Sequence, residues 1–183
     1  MYFDTSYIAK FYFNEPKSLR VRELVRKADA IYSSLWALAE FRAVLHRRLR
    51  EGVTSPSDAR DLASRFSEHI EDGLWNLIPV GEALLRRASA LMVSAPRDLF
   101  LRTADAVHLT TAHEIREPDV WTNDRHMLAT TRCIKSPGAA ISYAHAPGLP
   151  ACSPRLHRGY FGVNTTSPMD TWPTTGLLRF APP

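Results

Sequence analysis

Leu101-Arg102-Thr103-Ala104-Asp105-Ala106-Val107-His108-Leu109-Thr110-Thr111-Ala112 is the stretch from which the fold can be worked outward. Its small and apolar residues recur at helical spacing (Ala104, Val107, Leu109, Ala112), which predicts a largely buried helix. Thr103 is the expected N-cap, because its hydroxyl can accept from the free amides of the first turn. Asp105 then lies within that turn and has two readings. It is either a helix-dipole partner, worth roughly 0.3–1 kcal/mol, or a buried acid that requires a cation, since an unpaired charge in an apolar setting is costly. Acids converging from elsewhere in the chain would decide between them.

Upstream, Tyr2-Phe3 reads as a short buried strand ending in Asp4, with a helix starting at Thr5 and Ser6. An acid at the carboxyl end of a strand, beside a helix start, is where open α/β sheets place ligands. Asn14-Glu15-Pro16 breaks the helix. A second helix is expected over Ser18 to Ala28, with Leu19, Val21, Leu24 and Val25 inward. Ala30 to Ser33 is the next strand, with Ser33 or Ser34 capping a helix from Leu35 to Arg50. Leu38, Phe41, Leu45 and Leu49 make that helix's apolar stripe. Glu40 aligns instead with Trp36 and Val44, and reads equally as a boundary glutamate paired with an arginine or as a functional acid. Glu51-Gly52 is a C-cap signal. A helix over Thr54 to Ile70, a strand over Trp75 to Val80 and a helix over Glu82 to Val93 follow. Beyond the Asp105 helix, Asp119 to Thr122 is a short strand, and Asp124 stands where the next helix begins.

Composition sets the limits. At 183 residues, with 45% hydrophobic and 23% charged side chains, the chain has the profile of a globular protein with one sizeable core. No apolar run approaches the ~20 residues of a membrane span. The start, Met1-Tyr2-Phe3-Asp4, lacks the basic and apolar regions of a signal peptide. Cys133 and Cys152 form neither a CxxC motif nor a disulfide framework, so the expectation is a reduced, cytoplasmic protein with no membrane partner. The formal net charge of +4 permits a polyanionic partner without demanding one.

Beyond Arg132, helical periodicity vanishes. Eight of the 13 prolines and five of the 8 glycines lie there. The expected division is a domain over residues 1–135 and a Pro/Gly-rich extension over 136–183. One last strand near 139–143 is possible on pattern; the remainder reads as irregular or disordered. No internal repeat is present.

Strands alternating with helices imply a three-layer α/β/α domain around a central, mainly parallel, short-stranded sheet. Parallel strands bring Asp4 and Asp124 to one edge, within reach of Asp105 and Glu40. Four carboxylates there would repel one another unless cations neutralised them. Hard oxygen ligands favour Mg²⁺ or Mn²⁺ over zinc, and such an ion activates water and stabilises charge on a phosphodiester.

Tyr2-Phe3-Asp4-Thr5-Ser6, Ala39-Glu40-Phe41, Thr103-Ala104-Asp105-Ala106-Val107-His108-Leu109 and Thr122-Asn123-Asp124 resemble, in order, the motifs of PIN-domain ribonucleases, most closely the VapC-type toxins of toxin–antitoxin pairs. The resemblance implies a Mg²⁺- or Mn²⁺-dependent endoribonuclease acting on RNA. Its acids match Asp4, Glu40, Asp105 and Asp124, with Asp4 and Asp105 as main metal ligands. Asp124 is a third or outer ligand, and Glu40 acts directly or through water. It also implies a cognate antitoxin protein and commonly a homodimer. Ser6 and Thr122 either hold the carboxylates by hydrogen bonds or serve as strand-end and capping residues. His108 reads as a packed, hydrogen-bonded core residue rather than a base. The chain departs from the family in its long Pro-rich extension. Two other functions stay open: a structure-specific DNA nuclease, and a catalytically silent RNA- or antitoxin-binding module.

Overall fold

The computed structural model describes residues 1–117 and 119–133. The strand expected near 139–143 and the rest of the 136–183 extension lie outside the described residues. The elements in order are β1 (Tyr2–Phe3), α1 (Thr5–Tyr12), α2 (Ser18–Lys27), β2 (Tyr32–Ser34), α3 (Ala37–Arg50), α4 (Pro56–Glu71), β3 (Asn76–Ile78), α5 (Glu82–Ser94), α6 (Thr103–Glu114), β4 (Val120–Trp121) and α7 (Arg125–Cys133).

The strands form one sheet in the order β3-β2-β1-β4. Each pairing is parallel, with Tyr2 opposite both Tyr32 and Val120, and Ser33 opposite Leu77. A parallel sheet needs cover on both faces, and two apolar clusters supply it. Because strand side chains alternate, the two residues of β1 serve different clusters. Phe3 packs with α1, α2, α3 and α4 through residues such as Ile8, Val21, Phe41 and Phe66. Tyr2 packs with α5, α6 and α7 through Leu84, Ala88, Val107 and Met127. The result is a three-layer α/β/α fold with helices on both faces of a parallel sheet.

Chain direction explains where the site falls. From β1 the chain steps outward through β2 to β3, then returns across the sheet to place β4 on the other side of β1. The carboxyl ends of β1 and β4 therefore flank the point where the strand order reverses, the usual crevice of open α/β sheets.

Local signals account for most boundaries. Ser55 Oγ accepts from the Asp58 amide at 3.1 Å, with Pro56 in the first helical turn of α4. Gly52 takes the left-handed conformation (φ 69°) just past the end of α3. The helix carrying Asp105 is buried from Asp105 through Ala112, without an exposed stripe.

Some expectations need correction. Leu19 is 72% exposed and Leu38 39% exposed, whereas the sequence pattern places both on inner faces. Successive residues turn about 100° around a helix. Val21 and Val25 fix the inner side of α2, while Ala37, Phe41 and Leu45 fix that of α3, leaving both leucines outside. Strand β3 is shorter than expected: the Trp75 amide donates to the His69 carbonyl at 3.3 Å, at the end of α4, and Pro79 has no N–H to pair. Among the described residues, no helix is long and apolar enough to cross a membrane.

Candidate active site

Asp4 leaves β1 and caps α1. It is 5% exposed, and both carboxylate oxygens are engaged. Oδ1 accepts from the Ser6 hydroxyl at 2.7 Å and the Tyr7 amide at 3.0 Å; Oδ2 accepts from the Thr122 hydroxyl at 2.6 Å. Burial pushes the Asp4 carboxyl above its ordinary value, and these hydrogen bonds only partly offset it.

Thr122 does a second job. Its Oγ1 accepts from the Asp124 amide at 2.9 Å, while Ser6 Oγ accepts from the Asn123 amide at 2.8 Å. Two hydroxyls thus join the end of β1 to the end of β4. Both residues donate to the Asp4 carboxylate and also accept from a backbone amide at the end of β4.

Asp124 caps α7, its Oδ1 accepting from the amides of His126 at 2.7 Å and Met127 at 3.3 Å. Oδ2 accepts from Arg102 at 2.5 Å. Partial burial pushes this carboxyl upward, but the Arg102 bond and the backbone amides outweigh that and hold it below the usual range.

Asp105 is 5% exposed in the first turn of α6. The N-cap of α6 is Arg102, not the expected Thr103, which is its first helical residue. Asp105 reaches back to accept from the Arg102 amide at 3.2 Å, taking over the capping task. The Arg102 guanidinium also grips Asp105, with Nε at 2.9 Å from Oδ2 and one terminal nitrogen at 3.0 Å from Oδ1. The same nitrogen reaches Asp124, so one cation bridges two of the four acids. Asp105 thus serves the helix start and is paired with a cation of the chain itself, Arg102.

Glu40, in the first turn of α3, is the remaining acid. Its Oε2 accepts from the Thr5 hydroxyl at 2.5 Å and lies 2.8 Å from His108 Nε2. Burial pushes Glu40 up, yet the His108 and Thr5 contacts win and its carboxyl is lowered overall. His108 is 2% exposed, and its Nδ1 lies 2.7 Å from the Tyr2 hydroxyl. Burial raises the Tyr2 phenol well above its ordinary value, so that hydroxyl keeps its proton. When Tyr2 donates to Nδ1, the ring carries its proton on Nε2 and donates to Glu40. The packed, hydrogen-bonded reading of His108 agrees with this geometry, but its partner is one of the candidate acids.

The acids thus occupy linked but separate holds: hydroxyls for Asp4, Arg102 for Asp105 and Asp124, Thr5 with His108 for Glu40. Among the described residues, no three His, Cys, Asp or Glu side chains stand close enough together to clasp a metal ion. Reading the sequence did not single out Arg102 or Thr5. Arg102 had a usable signal, its i,i+3 spacing from Asp105; Thr5 had none, because its partner lies on another helix.

A family profile for the PIN domain matches residues 1–132. No curated protein matches the chain. Among solved structures, a Mycobacterium tuberculosis protein, VapC20, described as a sarcin-ricin loop cleaving toxin, superposes with a TM-score of 0.58. At 16% identity, over 71% of this chain and 94% of the other, that likeness speaks to the fold.

Proposed function

The chain belongs to the PIN-domain family, and from that premise we propose that it is a metal-dependent endoribonuclease, the toxin of a type II toxin–antitoxin pair. The observation that carries this reading is the acid-rich carboxyl edge, where Asp105 and Asp124 share a single cationic partner. Two carboxylates that share a cation suit a divalent ion by the chemistry of their donors, all hard oxygens.

Asp4, Asp105 and Asp124, with Glu40 directly or through water, would hold Mg²⁺ or Mn²⁺ only once their carboxylates draw together, since as they stand no three of them clasp an ion. When bound, that ion lowers the pKa of a water and neutralises charge on the scissile phosphodiester. The chain's own residues prepare the site. Ser6, Thr122 and the Tyr7 amide fix the plane of the Asp4 carboxylate. Thr5 and His108 keep Glu40 ionised and aimed. Such outer contacts govern how well first-rank ligands perform. The toxin reading also brings an RNA substrate, a small cognate antitoxin, a homodimer and a cytoplasmic setting as proposals.

One observation favours a second reading, a catalytically silent RNA- or antitoxin-binding module: Arg102 already occupies two of the acids. Cleavage of single-stranded and hairpin RNAs by the purified full-length chain separates the two. The nuclease reading expects products with Mg²⁺ or Mn²⁺ and none in EDTA. Equal cleavage in EDTA would remove the metal mechanism, and silence across a broad RNA panel would favour the binding module.

A further inference from the structure

We propose that Arg102 is an exchangeable internal cation: it holds Asp105 and Asp124 in the ion-free protein and leaves both when a divalent ion binds. The inference rests on the metal-dependent reading above and adds a regulatory step to the same site.

The geometry separates what is fixed from what can move. On Asp105, Oδ2 is anchored by the Arg102 backbone amide at 3.2 Å, a bond that survives if the side chain swings away. On Asp124, Oδ1 is anchored by the His126 and Met127 amides, leaving Oδ2 with Arg102. Backbone donors therefore keep both carboxylates in place, and the guanidinium is the removable part.

That guanidinium occupies the oxygens that an ion drawing on both acids would need. It contacts both oxygens of Asp105 and the outward oxygen of Asp124. A divalent ion drawing on these two acids cannot share those oxygens with the fork. The Arg102 side chain is also 47% exposed while that of Asp105 is 7% exposed, so the cation has solvent to retreat into and the anion does not. A planar fork suits two carboxylates in a way an ammonium cannot reproduce.

Competition of this kind weakens apparent ion affinity by the fraction of molecules in which the acids are already taken. If Arg102 occupies them in about nine molecules of ten, removing it tightens ion binding about tenfold.

The test uses the full-length chain, with Arg102→Gln and Arg102→Lys as variants. Mn²⁺ binding is measured by calorimetry, and thermal melts are run in EDTA and in saturating Mn²⁺. The expected result is that Arg102→Gln melts below wild type in EDTA, matches it in saturating Mn²⁺, and binds Mn²⁺ about tenfold tighter. Arg102→Lys, which keeps the charge but loses the fork, should fall between. A deficit that persists undiminished in saturating Mn²⁺ would mean Arg102 never leaves, and would overturn the exchange. So would unchanged affinity, or a lysine variant identical to wild type in affinity while the glutamine variant tightens, since charge alone then explains the effect. Should Arg102→Gln fail to fold, the lysine variant decides by the same two measurements. A wild-type chain showing neither heat nor a melting shift with Mn²⁺ would sink the metal reading itself, an outcome distinct from failure of the exchange alone.

Discussion

His108 Nε2 lies 2.8 Å from Glu40 Oε2, joining the middle of α6 to the first turn of α3 across the edge of the sheet. Behind the ring stands the Tyr2 hydroxyl, 2.7 Å from Nδ1. A chain of three side chains thus runs from a core strand to a partly buried acid.

Cutting that chain should cost stability first. His108→Ala removes a buried ring and leaves the Tyr2 hydroxyl without this partner. A hydrogen bond lost from the interior costs about 0.5–1.5 kcal/mol and the cavity adds to it, so the variant should be destabilised by at least that much in urea titrations. Its RNA cleavage should fall as well, because Glu40 keeps only Thr5. Full stability together with full activity would show the His108 contact to be incidental.

Thr122 offers a cleaner separation of roles. Thr122→Val keeps the shape but removes the donor to Asp4 and the acceptor for the Asp124 amide. A loss of roughly 1–3 kcal/mol is expected, while Thr122→Ser should restore most of it. Equal denaturation midpoints for the valine and serine variants would contradict the bridge.

Stability of the ion-free protein should depend on pH with a sign set by Asp4. Its carboxyl is raised by burial from the ordinary 3.8, so the folded state holds more protons than the unfolded one between that value and the raised one. Stability from this group therefore falls as pH rises through that window. Glu40 and Asp124 have lowered values and act oppositely: their contribution is present above the ordinary carboxylate range and is lost as the solution is acidified. Asp4→Asn cancels only the first effect. In EDTA, its melting temperature relative to wild type should climb as pH increases from the normal aspartate range. A constant difference across pH would show that Asp4 is not penalised by burial.

Asp105→Asn should weaken the ion-free protein by about 1 kcal/mol, since it loses the charge of a half-exposed arginine pair and part of its helix-dipole interaction. The melting shift produced by Mn²⁺ should shrink and RNA cleavage should collapse. Wild-type cleavage with an unaltered ion-dependent shift would remove Asp105 from the site.

A chain cut after residue 135 should fold, because the described residues before that point already build an apolar cluster on each face of the sheet. Its melting temperature is expected within a few degrees of the full-length chain. Failure to fold would assign the extension a structural part.

Much of this was legible because the signals are local. Asp4 and Asp124 each follow a short strand and cap a helix, and an acid in that position is visible from its neighbours alone. Buried α6 announced itself by a run of small and apolar residues. The phase of α3 was harder: Leu38 is more apolar than Ala37, yet Ala37 is 0% exposed, because close packing rather than hydropathy chose the contact. The α6 cap falls at Arg102 rather than Thr103, since an aspartate three residues on can do from within the helix what a hydroxyl does from outside it. Contacts between distant helices, such as Thr5 with Glu40, leave no trace in spacing. Ser6 and Thr122, each two residues from an acid, are therefore readable as carboxylate partners, whereas Thr5, on a different helix from Glu40, is not.

Strand β1 has a consequence for how this chain can change over generations. Tyr2 enters one apolar cluster, Phe3 the other, and Asp4 stands at the tip. Side chains of a strand alternate, so inserting or deleting a single residue would exchange the two aromatic positions and displace the acid from its hydroxyl partners. With two residues, the strand has no spare length in which to absorb such a shift. Substitutions within it can be graded, conservative or compensated; indels cannot. A comparison across homologous genes should find this segment varying in composition but constant in length.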